Sequence, residues 1–135
     1  MKRALEILLV EDNQLDARLT EEALLDTGLE NRLTTVEDGE AAISYLSRVG
    51  KYKESLRPDV VLLDLNLPKK DGQIVLEEMR RHPELEDIPV VVLTVSKKDE
   101  DITRALDSRM NYYMCKPVDP RQLFSVLEAV NELWQ

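Results

Sequence analysis

The chain has a single cysteine, Cys115, so an intrachain disulfide framework is excluded, and one free thiol fits a reducing compartment. Bases are in the minority: 18 lysines and arginines stand against 27 acids, for a net charge of -9. That balance speaks against nucleic acid or an anionic membrane as the main partner. No apolar run is long enough to cross a bilayer. Near the N-terminus, Lys2 and Arg3 precede the run Ile7 to Val10. That run stops at Glu11-Asp12, too short and too soon acidic for a signal peptide. The expected location is the cytoplasm. The one histidine, His82, stands before Pro83 at what reads as a helix stop, with no paired base, so a phosphotransfer role for it is not expected. Repeats and low-complexity linkers are absent, nothing marks a second domain, and residues 1–135 read as one.

What is present is a packed α/β pattern. Hydrophobic residues make up 43% of 135, enough for a core. Val60 to Leu63 is an unbroken apolar run that ends in Asp64, the mark of a strand buried on both faces. Ile7–Val10, Leu33–Val36, Val90–Leu93 and Tyr112–Cys115 read as four more strands. Between them lie helical spacings: Leu15, Leu19 and Ala23 with Gly28 as the stop; Ala42, Tyr45, Leu46 and Val49 with Gly50 as the stop; Val75, Leu76 and Met79; and Ile102, Ala105 and Leu106. A last helix opens on Asp119-Pro120 and carries Leu123, Val126, Leu127, Val130 and Trp134. Residues 51–58 form a long polar approach to the third strand. Five strand–helix alternations predict a doubly wound parallel sheet with helices on both faces.

In such a sheet all strand carboxyl ends share one edge, where ligands bind. The first strand delivers Glu11 and Asp12 there, the third Asp64, the fourth Thr94 and the fifth Lys116. Each alone has a bland explanation as a cap, a turn residue or a solvated base. Together they are specific. Three clustered carboxylates repel unless a cation sits among them. Oxygen ligands of this kind suit Mg²⁺, which binds one or two carboxylates plus a phosphate. Lys116 supplies a point charge for a phosphoryl oxygen and the Thr94 hydroxyl a donor for another. The set describes an in-line phosphoryl-transfer site with Asp64 as nucleophile.

Val10-Glu11-Asp12-Asn13, Asp59 to Pro68, Val92-Leu93-Thr94 and Tyr113-Met114-Cys115-Lys116-Pro117 occur in the order found in response-regulator receiver domains of two-component systems, and the chain resembles that family along nearly its whole length. The resemblance implies a flavodoxin-like sheet of order 2-1-3-4-5 with five helices. It implies a phosphoacceptor Asp64, fed by a sensor histidine kinase or a phosphotransfer protein. Glu11, Asp12, Asp64 and the backbone carbonyl of Asn66 would hold Mg²⁺, and Lys116 and Thr94 the phosphoryl oxygens. Thr94 and Tyr113 would form the switch, and Lys116-Pro117 is typically a cis peptide in the family. The long 51–58 loop and the Trp134 ending resemble the single-domain subgroup paired with bacteriophytochromes. With no output domain expected, output falls to a partner, a phosphate-sink role, or a homodimer through the fourth helix, fifth strand and fifth helix, with Arg104, Asp107, Val118 and Gln122 exposed on that face.

Departures from the family pattern are Glu11 for the commoner aspartate, Val95 after Thr94, which narrows access to Asp64, and Arg109-Met110 where the family has Gly-Ala. A left-handed turn would then fall to Asn111. The rival from the enzyme class is a Mg²⁺-dependent aspartyl-phosphate phosphatase. Such enzymes carry a second acid two residues after the nucleophile, where Asn66 stands and cannot transfer a proton. A flavin or nucleotide carrier would want a phosphate-cradling loop after the first strand, and Glu11-Asp12-Asn13 repels phosphate instead. Cys115, Met110 and Met114 read as core, Trp134 as an interface residue, and Lys69-Lys70 as a solvated pair with a lesser prospect of kinase docking.

Overall fold

The computed structural model describes residues 4–67, 71–95 and 111–133. In order these are β1 (Leu5–Val10), α1 (Gln14–Asp26), β2 (Asn31–Val36), α2 (Gly39–Ser47), a 3-10 turn (Gly50–Tyr52), β3 (Val60–Asp64), α3 (Gly72–Arg81), β4 (Val90–Thr94), β5 (Asn111–Cys115) and α4 (Pro120–Leu133). The helix predicted around Ile102, Ala105 and Leu106 lies outside the described residues, as do Pro68, Lys69-Lys70, Arg104, Asp107, Arg109, Met110 and Trp134.

All strand pairs are parallel and the order is β2-β1-β3-β4-β5. The apolar runs explain which strands are central. β1, β3 and β4 are buried along their whole length, whereas β2 and β5, more polar, take the edges. Alternate residues feed two cores, one on each face. Leu8, Val10, Val61, Leu63, Val90 and Val92 pack with Ala42, Leu46, Val75, Leu76 and Met79 of α2 and α3. Ile7, Leu9, Val60, Leu62, Val91 and Leu93 pack with Ala23, Leu24, Leu123, Leu127 and Val130 of α1 and α4. Each of the valines, leucines, isoleucines and methionines among them contributes roughly 1.5–3 kcal/mol on burial.

Two helix faces differ from the spacing that predicted them. In α1 the buried stripe is Ala17, Thr20, Ala23 and Leu24, while Leu15 and Leu19 are exposed. In α2 the helix stops at Ser47, because Arg48 takes a left-handed conformation with φ 58°, and Val49 is then exposed instead of continuing the apolar face. The expected stop after α1 holds: Gly28 has φ 73°, a conformation that costs a non-glycine residue energy. The 51–58 approach is a loop with some internal order. Tyr52 meets the Tyr45 ring edge-on at 5.4 Å, and Ser55 Oγ donates to the Tyr45 carbonyl at 2.9 Å.

The chain leaves β1 for one edge and returns through β3 toward the other. The crevice beyond the carboxyl ends of β1 and β3 is therefore the topological switch point, where this class of sheet binds ligands.

Candidate functional site

Glu11 is the first residue past β1, Asp64 the last of β3, Thr94 the last of β4 and Lys116 the first past β5. Parallel register does the rest. Asp64 lies opposite Leu93, which puts Thr94 one step further along the neighbouring strand, and Thr94 lies opposite Cys115. Glu11, Asp12 and Asp64 each place a carboxylate oxygen within 4.8 Å of the others. Glu11, Asp64 and Thr94 are buried at 1%, 4% and 0% exposure, and Asp12 stands at the open side.

The bland roles are partly taken by other residues. Asn13, not Glu11 or Asp12, caps α1: its Oδ1 accepts from the Asp16 amide at 2.9 Å. Asp64 Oδ1 does accept a turn hydrogen bond, from the Asn66 amide at 3.1 Å. Asp64 Oδ2 is left for Lys116, whose Nζ donates to it at 3.1 Å. The same ammonium donates to Asp16 Oδ2 at 3.1 Å and lies 2.7 Å from Glu11 Oε1. The Glu11 contact is an ion pair by distance whose angles fall outside hydrogen-bond geometry.

These contacts set the charge states. Burial, reinforced by Asp64 and opposed by Lys116, lifts the Glu11 carboxyl from 4.5 to about 7. Burial alone would lower Lys116, but Glu11, Asp16 and Asp64 outweigh it and hold the ammonium above its ordinary value, so Lys116 stays charged. The raised Glu11 value is a stability statement that falls in the neutral pH range. The folded protein holds the Glu11 proton more tightly than the unfolded chain. Its contribution to stability is therefore full below about 4.5 and is lost as pH rises through about 7.

The donor set fits a hard divalent cation. Three carboxylates converge, and Glu11 Oε1 is a buried oxygen with no hydrogen bond among the described residues. Two expectations follow. If the cluster holds Mg²⁺, the ion at about a hundredfold excess over its Kd would stabilise the protein by about 2.7 kcal/mol, and Asp12→Ala would lose that response. The response would be larger at about pH 8 than at about pH 6, because below about 7 an ion in this cluster would have to displace the Glu11 proton. Melting curves with and without Mg²⁺ at both pH values check this. An equal response from Asp12→Ala would place the ion elsewhere.

Some sequence expectations are corrected here. Cys115 is exposed and not core, because it faces out at the end of an edge strand. Asn111 does not make a left-handed turn; it begins β5, and its Oδ1 accepts from Arg80 Nε at 3.0 Å. Val95 is 71% exposed. One expectation holds: Lys116-Pro117 is cis, as the resemblance implies. Two residues of the site were missed. Asp16 carries no sequence signal of its own, because a single acid in the first turn of a helix is common. Gly72 bears no side chain to signal a role, yet its amide donates to the Leu65 carbonyl at 3.1 Å and ties α3 to the strand end that carries Asp64.

Comparison with known proteins agrees with this geometry. The family model for the response regulator receiver domain matches residues 7–128. Response regulator Rcp1 of Synechocystis sp. (strain ATCC 27184 / PCC 6803 / Kazusa) is 41% identical over 95% of this chain and 87% of its own. Its Mn²⁺-bound structure has a TM-score of 0.76 to this chain, covering 96% of this chain and 94% of that one. The bacteriophytochrome response regulator RtBRR is 38% identical with a TM-score of 0.86, over 95% of this chain and 78% of that one. The phosphorylated cyanobacterial phytochrome response regulator RcpA is 44% identical with a TM-score of 0.79, over 98% and 94%. Among the described residues no helix is long and apolar enough to cross a membrane. A receiver sheet, an acidic cluster at its switch point and these relatives lead to one conclusion: the chain belongs to the response regulator receiver domain family of two-component systems.

Proposed function

We propose that this protein is a stand-alone response regulator that accepts a phosphoryl group on Asp64 and switches a partner-binding surface. The observation that carries the reading is the Lys116 ammonium bonded to Asp64 Oδ2 beside the three-carboxylate cluster. An Asp64 oxygen attacks phosphorus in line. The new O–P bond forms as the donor's P–N or P–O bond breaks, and that electron pair leaves with the donor. Lys116 and Thr94 hold the phosphoryl oxygens. Glu11, Asp12, Asp64 and the Asn66 carbonyl would hold Mg²⁺, which when bound neutralises charge on the transferring group. The protein catalyses its own phosphorylation and dephosphorylation and turns over no other substrate. Its likeness to bacteriophytochrome response regulators supports a phytochrome-like histidine kinase as the donor in the cytoplasm. Incubation with acetyl phosphate and Mg²⁺ followed by intact mass tests the reading. One phosphoryl adduct supports it, whereas turnover without an adduct favours the aspartyl-phosphate phosphatase.

Signal output runs through Thr94 and Tyr113. Tyr113 is half-buried two residues before Cys115, the residue opposite Thr94, and packs against the core under α2 and α3. It also lines a cleft of ≈ 460 Å³ between β5 and α4, with Met114, Gln122, Ser125 and Val126. Drawing Thr94 toward the phosphoryl group leaves room that the Tyr113 ring fills by a rotamer change, which reshapes this face. Gln122 is exposed there, and Val118 is half-buried against the core. Tyr113→Ala is expected to remove most of a coupling of about 5- to 150-fold between phosphorylation and partner binding or dimerisation and to spare phosphorylation. Sedimentation with and without beryllium fluoride checks it. A wild-type response that persists in the variant would make Tyr113 a packing residue.

A further inference from the structure

The geometry points to Asp16 as a positioning residue for Lys116, an inference that rests on the phosphoacceptor reading of Asp64. An ammonium has three N–H donors and no acceptor. Here three carboxylates face it: Glu11, Asp16 and Asp64. Glu11 and Asp64 also belong to the cluster that can hold a cation, and Asp16 does not. When a phosphoryl group and a metal ion enter, Glu11 and Asp64 acquire new partners. Asp16 is the partner that keeps the ammonium without conflict.

Its location suits the task. Asp16 lies in the first turn of α1, and its backbone amide is bonded to the Asn13 cap. The carboxylate is therefore carried on a fixed turn and reaches across 100 residues of sequence to Lys116. The Lys116 side chain is 11% exposed and the Asp16 side chain 36%, so Asp16 closes the outer side of the ammonium toward solvent. A lysine has four rotatable carbons and little orientation of its own. Held from outside, Lys116 keeps its remaining protons aimed at Asp64 and at the phosphoryl oxygens that Asp64 would receive.

Two measurements on the full chain test the assignment. The cap uses the Asp16 amide and not its side chain, so Asp16→Ala retains the helix start. In wild type the ¹⁵N–¹H signal of the Lys116 ammonium should be visible, because its protons are bonded and shielded. In Asp16→Ala its exchange with water should rise about tenfold, and phosphorylation by acetyl phosphate at saturation should slow about ten- to a hundredfold. Asp16→Asn keeps an acceptor and should restore both. Unchanged ammonium exchange in Asp16→Ala would overturn the anchor, whether or not Asp64 is phosphorylated. Faster exchange with an unchanged rate would overturn its part in the reaction. Wild type that takes up no phosphoryl group would refute the Asp64 reading itself, while the ammonium signal still decides whether Asp16 holds Lys116.

Discussion

An Asp64→Asn protein is expected to fold and to take up no phosphoryl group from acetyl phosphate, a loss on the order of a thousandfold or more. The amide nitrogen and oxygen have the carboxylate's shape without its nucleophilicity. The structural cost is small and can be itemised. Asp64 accepts from the Asn66 amide through one oxygen and from Lys116 through the other. An amide offers a single oxygen and turns its NH₂ toward the other donor, so one charge-assisted bond is lost, at about 1.5–3 kcal/mol. Against that, Asp64 is one cause of the raised Glu11 value, and its removal relieves that repulsion. Lys116 retains Asp16 and Glu11. The melting temperature should therefore move by less than about 10 °C. Intact mass of both proteins after equal exposure to acetyl phosphate and Mg²⁺ checks the first part, and calorimetry the second. Labelling of the variant to the wild-type extent would remove Asp64 from the mechanism.

Gly72→Ala is expected to damage both fold and site, although Gly72 bears no functional group. A Cβ there would meet the Asp64 carbonyl oxygen at 2.4 Å, the Leu65 Cα at 2.6 Å and the Leu65 carbonyl oxygen at 3.0 Å. All three are backbone atoms and cannot rotate aside. Either α3 must retreat or the Asp64–Leu65 segment must move. Overpacking of this kind costs about 1–3 kcal/mol, and the strand end that must move is the one bearing the nucleophile. A fall of roughly 5–10 °C in Tm should accompany a ten- to a hundredfold, or about that, slower phosphorylation. Gly28→Ala is the control. A Cβ at Gly28 meets nothing within 4 Å, but the φ of +73° opposes it, so stability falls and the site is spared. If the Gly72 variant melts lower yet is phosphorylated normally, the two are not coupled through the β3 end.

Much of this was readable from residue order because strands and acids repeat a simple rule. A continuous apolar run such as Val60–Leu63 has one stable place in an α/β sheet, the centre, and whatever follows it must emerge at the carboxyl edge. That placed Asp64, Thr94 and Lys116 on one edge without coordinates. Helix faces were less legible. Leu15 and Leu19 have the spacing of a buried stripe, but Ala17, Thr20, Ala23 and Leu24 have it too, and spacing does not choose between two overlapping stripes. The Cys115 side chain was misplaced for a related reason. An edge strand has one neighbour, so a residue near its end can face solvent even beside apolar residues.

What the sequence determined by itself is the alternation of elements, the central strands and the identity of the residues that leave them, because hydrophobic period and chain order are local properties. What only the tertiary structure decided is which of many acids share one ammonium and how close two backbones come. Asp16 and Lys116 lie 100 residues apart, and their hydrogen bond exists because both the start of α1 and the end of β5 lie at the carboxyl edge of one parallel sheet. Gly72 matters because α3 begins so near the end of β3 that a Cβ there would stand 2.4 Å from the Asp64 carbonyl oxygen, a distance set by helix-to-strand packing. The lifted Glu11 value has the same origin, since burial and an opposing carboxylate are properties of the assembled edge and not of any stretch of chain.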